Sequence, residues 1–182
     1  MDAIQIIQRL HQHRAWVNRN LLETATLLSD EQLRSQFPIG QGSIWKSLVH
    51  LYAAEYVWLE ALLGDEDPLV QGDLPGKLPG NQMGEKRIAG LDELRALWAA
   101  QEQRWADYLN NLKPESLEDI VYKKSTSVLV GNRFGTRRSD ILLHVCTHAQ
   151  YTTAQIVNML KQCGFERLPD TMLIILARQE TS

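Results

Sequence analysis

Residues 142–164 read LLHVCTHAQYTTAQIVNMLKQCG, and this stretch decides the fold class. Its apolar residues recur every three or four positions, which is the spacing of one face of an α-helix at about 100° per residue. Ser139 precedes the stretch as an N-cap candidate, and Gly164 stands where a left-handed residue commonly ends a helix. The pattern therefore predicts one long helix over residues 139–163.

The same periodicity predicts three more long helices upstream, over residues 2–28, 43–63 and 91–112. Ser29 and Gln32 have the spacing of a capping box, so a short helix is expected there. A last short element is expected over residues 170–178. Long helices with one apolar face bury that face by packing together. We therefore predict an all-α fold, a four-helix bundle, as a single domain spanning residues 1–182.

Two segments between the long helices lack helical periodicity. Residues 64–90 contain six of the eleven glycines and three of the six prolines, which predicts a long loop, and loops of that length are usually functional or mobile. Farther along, the β-favouring runs IVY and SVLV, with the turn pair Gly131-Asn132, predict a small β-hairpin before the last long helix.

Composition excludes several classes of protein. Lys and Arg number 19 against 22 Asp and Glu, for a formal net charge of −3, so the chain shows no basic footprint for nucleic acid. Its longest apolar run, residues 172–177, is too short to span a membrane. The N-terminus lacks the pattern of a signal peptide, and two cysteines provide no disulfide framework. We therefore expect a cytoplasmic protein that binds neither nucleic acid nor membrane.

Polar residues fall on the inward face of the last long helix. A helical wheel places His148 and Thr152 toward the core, with His144 and Gln155 at its border. His144 and His148 have the i,i+4 spacing at which two imidazoles can bind one metal ion. The alternative is a pair of core histidines satisfied by hydrogen bonds, and spacing alone does not decide between the two.

The first and second long helices also place polar residues inward. His50 and Glu55 lie on the inward side of the second helix, where a buried imidazole needs a partner because its burial without a hydrogen bond costs roughly 1–3 kcal/mol. Arg14 and Asn18 lie on or beside the apolar face of the first helix. Arg14 could clamp a carboxylate of a ligand or pair with a buried acid such as Glu55.

Other potentially reactive side chains have plainer interpretations. His11 and His13 lie about 200° apart on a helix, so they cannot share one ion, and we expect both in solvent. Cys146 has no neighbouring base in sequence and lies opposite His148, which favours a small buried residue over a catalytic thiolate.

Three stretches together resemble the DinB/YfiT-like family of bacterial four-helix-bundle proteins over nearly the whole chain. The first is RAWVNRNLL in the first long helix, and the second is GSIWKSLVHLYAAEYVWLEALL in the second long helix. The third is the stretch of residues 142–164 quoted above together with LPDTMLIILARQ, which follows it. His50, Glu55 and Trp58 stand in the places that match the family's second-helix motif. Each motif alone is weak, but their order and spacing together are fairly specific.

The resemblance implies a divalent metal, often nickel, zinc or iron, held by one second-helix histidine and an i,i+4 histidine pair of the last helix. Carried over residue by residue, His50 and His148 are two ligands and the third falls on Thr152. That departure matters, because a neutral hydroxyl is a poor ligand for such ions.

Two states of the site remain open. In the first, His50, His144 and His148 hold a metal in a shifted position, with water completing the shell. In the second, the site is a vestige in which Thr152, Gln155 and Tyr151 hydrogen-bond to the histidines and no ion binds.

Two function hypotheses follow from the resemblance. The first is a thiol-dependent transferase in which a metal activates a low-molecular-weight thiol and the 64–90 loop shapes the substrate entrance. The second is a non-catalytic small-molecule-binding or stress-response protein. In either case the resemblance implies a homodimer.

Overall fold

The computed structural model describes residues 1–181. In that part of the chain, the helices are α1 (Ala3–Ala25), α2 (Asp30–Arg34), α3 (Ile44–Leu62), α4 (Leu91–Asn110), α5 (Arg138–Gln162) and α6 (Leu173–Gln179). A short 3₁₀ helix (Pro114–Glu118) and two strands, β1 (Ile120–Lys124) and β2 (Arg133–Arg137), lie between α4 and α5. The predicted helical fold is confirmed, with four long helices, the loop over residues 64–90 and a β-hairpin before α5.

Local capping explains where several helices begin and end. Ser29 and Gln32 form the predicted capping box of α2. The Ser43 hydroxyl accepts a hydrogen bond from the Lys46 amide at 3.1 Å, which caps α3. Gly164 follows α5 with a φ of +72°, the left-handed conformation expected after a helix C-terminus. Helix α5 begins at Arg138, one residue earlier than predicted.

The second strand of the hairpin is not the one predicted. SVLV, residues 127–130, lies in the turn, and Arg133–Arg137 pairs instead with β1 in antiparallel register, with Lys124 opposite Arg133. Ser125 closes the connection, since its amide donates to the Asn132 carbonyl and its carbonyl accepts from the Gly131 amide, both at 2.9 Å. The β-propensity of SVLV is overridden because these bonds fix a longer turn than a two-residue hairpin would have.

The chain groups into two compact units, whose boundaries fall inside α3 and α5. The prediction of a single domain stays a prediction. The first unit contains residues 1–48 and the described residues from 146 onward. Its core includes Val17 and Leu21 of α1 with Ile156 and Met159 of α5. In this unit α6 packs against α1.

The second unit contains residues 49–145. Its core includes apolar side chains of α3 and α4, all close to fully buried: Leu51, Leu59, Leu94, Trp98 and Trp105. The hairpin is tied to the 64–90 loop by two ion pairs, Arg133 with Glu66 at 2.6 Å and Lys124 with Asp67 at 2.7 Å. Among residues 1–181 no helix is long and apolar enough to cross a membrane.

Candidate functional site

In the first unit, α1 and α5 each carry polar side chains into the interior. Arg14 and Asn18 are one helical turn apart on α1, and each is 2% exposed, as is Thr152 on α5. These three positions match the inward faces that the helical wheels predict. Polar groups buried this deeply require hydrogen bonds or a ligand, so this interior is chemically specific rather than a uniform apolar core.

The remaining predicted residues of α5 in the first unit differ in burial. His148 and Gln155 are half-buried, whereas Tyr151 is 68% exposed and lies at the surface. The Gln155 side chain packs against the turn before α3, where a Cβ added at Gly40 would collide with its Oε1 atom. Gly40 has a φ of +52°, a left-handed conformation that favours glycine.

In the second unit, His50 on α3 is half-buried and its ring orientation is set by the 64–90 loop. The Nδ1 atom lies 2.7 Å from the Pro79 carbonyl oxygen. Because a carbonyl oxygen can only accept, Nδ1 carries the proton and donates it. In the neutral imidazole the lone pair therefore lies on Nε2, which makes Nε2 the ring atom suited to ligation or to accepting a proton.

Glu55 lies one turn farther along α3 and is buried, as predicted from its place on the helix. Its Oε2 atom accepts a hydrogen bond from the indole Nε1 of Trp98 on α4 at 3.1 Å. The Gln101 side chain donates to the Glu55 backbone carbonyl at 3.4 Å. The Trp98 indole on α4 thus holds the Glu55 side chain in position, and the Gln101 side chain holds the backbone beside it.

His144 on α5 is exposed, with one edge of its ring against Trp58 of α3 at a centroid distance of 5.4 Å. Partial burial against this neighbour lowers the pKa of the His144 imidazole, because losing water disfavours the charged form. This contact with Trp58 assigns His144 a packing role in the second unit.

Lys123 is a buried cation that the sequence analysis does not single out. Its Nζ atom donates to the Lys124 carbonyl at 3.0 Å and lies 5.5 Å from the centre of the Trp58 ring. Burial lowers the pKa of Lys123 below its ordinary value. The burial of Lys123 could have been predicted from the alternation of a β-strand, because Val121 and Lys123 are the two buried positions of β1.

The expectation that His11 and His13 are solvated is wrong, because both are buried. The Nε2 atom of His13 lies 3.0 Å from the Thr171 carbonyl, and its ring stacks on Trp16 at 5.9 Å. Burial lowers the pKa of His13. The wheel of α1 alone could not predict this burial, since residues distant in sequence cover that face.

Comparison with known proteins now decides the family. The profile of the DinB family matches residues 4–181, which is nearly the whole chain. The chain belongs to the DinB family. Protein DinB of Bacillus subtilis (strain 168) is 23% identical over 168 residues, covering 88% of each chain.

Two solved structures have a similar fold. YfiT from Bacillus subtilis, described as a probable metal-dependent hydrolase with an unusual four-helix bundle topology, has a TM-score of 0.62 at 17% identity and covers 88% of this chain and 89% of its own. A conserved protein from Enterococcus faecalis has the same TM-score at 16% identity, with 87% and 95% covered. The predicted four-helix bundle architecture is thereby confirmed.

The residues of this DinB-family chain do not fit a metal centre of three protein ligands. Within residues 1–181, no three side chains of His, Cys, Asp or Glu are grouped so that they could hold one ion. Thr152, where the sequence resemblance predicts a third imidazole, has only a neutral hydroxyl to offer. The ligand set of His50, His144 and His148 stays a prediction.

Proposed function

We propose that this DinB-family protein is a small-molecule-binding protein with a degenerate divalent-metal site. One observation carries the proposal: Thr152, at the third ligand position of the family motif, is a hydroxyl residue buried to 2% exposure. Another side chain could take the third ligand position only if Thr152 left the core of the first unit, which would disrupt the packing there. By the family motif alone, His50 and His148 are then the two remaining candidate ligands.

The loss of one imidazole has a large effect on affinity. Replacing even a group that only supports a metal ligand typically weakens binding by about 10–100-fold, and removing a ligand itself weakens it further. Two imidazoles and one neutral hydroxyl provide zinc or nickel with fewer good protein ligands than these ions usually have. We therefore expect weak binding that dialysis removes.

A second candidate function is a metal-dependent transferase that uses a low-molecular-weight thiol. It is favoured by the His50 ring, whose Nδ1 donates to the Pro79 carbonyl at 2.7 Å and whose lone pair therefore lies on Nε2. Metal-bound histidines commonly have this arrangement, with the second nitrogen donating to a carbonyl. Nickel, zinc and iron are the ions to test for this candidate.

Metal content separates the two candidates. Protein prepared without a metal-affinity tag is incubated with zinc or nickel, dialysed and measured by elemental analysis. We expect well under one ion per chain for the wild type and for His50→Ala. Thr152→His, which restores an i,i+4 pair with His148, is expected to retain at least tenfold more metal. Stoichiometric metal in the wild type, lost in His50→Ala, overturns the degenerate-site proposal.

Ligand binding is tested by the rise in melting temperature that any molecule specific for the native state produces. The first compounds are low-molecular-weight thiols, each with and without zinc. A thiol that stabilises the protein only with zinc supports the transferase. The homodimer and the cytoplasmic location stay predictions, the former checked by light scattering during gel filtration.

A further inference from the structure

We propose that residues 72–84 are a positioning element for His50, in which Asp73 folds the segment so that the Pro79 carbonyl fixes the tautomer of the imidazole. This inference rests on the proposed function only in taking His50 as a functional side chain. The sequence predicts that the 64–90 loop is mobile or shapes a substrate entrance. The proposed role is more specific, because part of this loop keeps the Nδ1 atom of His50 protonated.

Asp73 organises the segment through its carboxylate, which is buried. Its Oδ2 atom accepts from the Gly80 amide at 2.6 Å, and its Oδ1 atom accepts from the Gln82 amide and the Gln82 side chain, both at 2.9 Å. Hydrogen bonds to an ionised acceptor are short and strong. These three bonds close a turn over residues 73–82 that places Pro79 and Gly80 at its far side.

Further side chains lock the same turn to its own backbone. The Asn81 Oδ1 atom accepts from the amides of Leu74 and Met83, at 3.0 and 3.1 Å. The Gln82 side chain donates to the Gln71 carbonyl and accepts from the Ile88 amide, both at 2.7 Å. Such bonds replace the ladder of a helix or sheet, so the segment has a defined shape without regular secondary structure.

Gly80 brings this turn into direct contact with the backbone of α3. Its φ is +80°, and a Cβ at this position would lie 2.7 Å from the His50 Cα and 2.8 Å from the His50 nitrogen. The opposing atoms belong to a helix backbone, which cannot move aside as a side chain can. Only glycine therefore allows the approach that delivers the Pro79 carbonyl to the His50 ring.

The consequence for His50 is chemical. A neutral histidine in water exchanges between two tautomers. The Pro79 carbonyl oxygen, 2.7 Å from Nδ1, accepts a hydrogen bond only from the tautomer that has its proton on Nδ1. Nε2 is then the ring nitrogen that carries the lone pair, which is the atom that ligates a metal ion or accepts a hydrogen bond. The hydrogen-bonded turn thus determines, through the Pro79 carbonyl, which ring nitrogen of His50 carries the proton.

The tautomer can be read directly by long-range ¹H–¹⁵N NMR on the ¹⁵N-labelled full chain without metal, at a pH well above the ordinary histidine pKa of about 6.5. The His50 signals are assigned with His50→Gln. We expect Nδ1 to resonate as a protonated nitrogen and Nε2 as an unprotonated one. An Nε2–H tautomer in the wild type overturns the proposal.

Three variants test the role of the turn. Asp73→Asn places an amide group against one of the N–H donors, and Gly80→Ala inserts the excluded Cβ, so both should shift the His50 nitrogens toward an exchanging mixture. Asp67→Asn is the matched control, because it changes an exposed aspartate of the same loop, and the tautomer should persist. If Gly80→Ala does not fold, Asp73→Asn decides, with its amide spectrum confirming a folded chain.

An unchanged tautomer in folded Asp73→Asn overturns the assignment of Asp73 as a positioning residue. Because every measurement is made without metal, its outcome is independent of whether zinc binds. Failure of this inference is therefore distinguishable from failure of the degenerate-site proposal, which is decided by the metal content of the wild type, His50→Ala and Thr152→His.

Discussion

The hydrogen bond between Trp98 and Glu55 gives a quantitative prediction about stability. The two side chains are each 1% exposed, and the indole N–H donates to the carboxylate at 3.1 Å. Leaving a buried acceptor without its donor costs about 1–3 kcal/mol, and the smaller ring of Trp98→Phe gives up roughly 1 kcal/mol of buried apolar area. We therefore expect Trp98→Phe to lower the free energy of unfolding by about 2–4 kcal/mol.

The assay is urea unfolding monitored by far-ultraviolet circular dichroism. The midpoint urea concentration should fall, while the m-value, the slope of the free energy of unfolding against urea concentration, should stay constant. Trp45→Phe is the matched control, because Trp45 is also buried and its ring packs under the Arg34 guanidinium, 4.9 Å from the ring centre, a contact that a phenyl ring can also make. It should lose only about 1 kcal/mol.

A double-mutant cycle of Trp98→Phe with Glu55→Met, a side chain of similar length that has no carboxylate, isolates the pair from the other interactions of each residue. We expect a coupling energy of at least about 1 kcal/mol. A coupling below about 0.5 kcal/mol, or a Trp98→Phe variant no less stable than Trp45→Phe, would refute the reasoning that this bond holds the carboxylate in place.

Three further predictions concern burial and charge. Burial lowers the pKa of His13 in the folded chain, so the free energy of unfolding should fall as the pH drops through about 6.5. His13→Gln should make this fall smaller, which urea midpoints measured above and below that pH would show. Met159→Ala should cost about 2–5 kcal/mol in the same assay, whereas Met172→Ala, at an exposed position, should stay within about 0.5 kcal/mol. Lys123→Met should raise the urea midpoint at neutral pH, because it removes a buried ammonium whose lowered pKa shows that the folded state disfavours the charge; a lower midpoint contradicts this.

Periodicity and capping predicted the helices well because both act within a few residues. The inward faces of Arg14, Asn18 and Thr152 follow from the same local geometry, as does the burial of Glu55. Family resemblance, rather than spacing, identified Thr152 as the position that departs from a metal site.

The features that the sequence analysis missed depend on segments far apart in the chain. His13 is buried partly because Thr171, 158 residues later, meets its ring. The contact of Pro79 with His50 spans 29 residues and depends on how Asp73 folds the loop. The strand β2 formed at Arg133–Arg137 rather than at SVLV, where local β-propensity is higher. Tertiary contacts decided each case.

The two ion pairs between the hairpin and the 64–90 loop give this region an unequal response to ionic strength. Arg133–Glu66 and Lys124–Asp67 are solvent-exposed, so added salt screens them, with a Debye length of about 10 Å at 0.1 M falling to about 3 Å at 1 M. The turn around Asp73 is held by short hydrogen bonds to a buried carboxylate and is screened far less. Concentrated salt would therefore weaken the two ion pairs, leaving the backbone hydrogen bond from the Lys124 amide to the Glu66 carbonyl to hold the hairpin, while the turn keeps its shape.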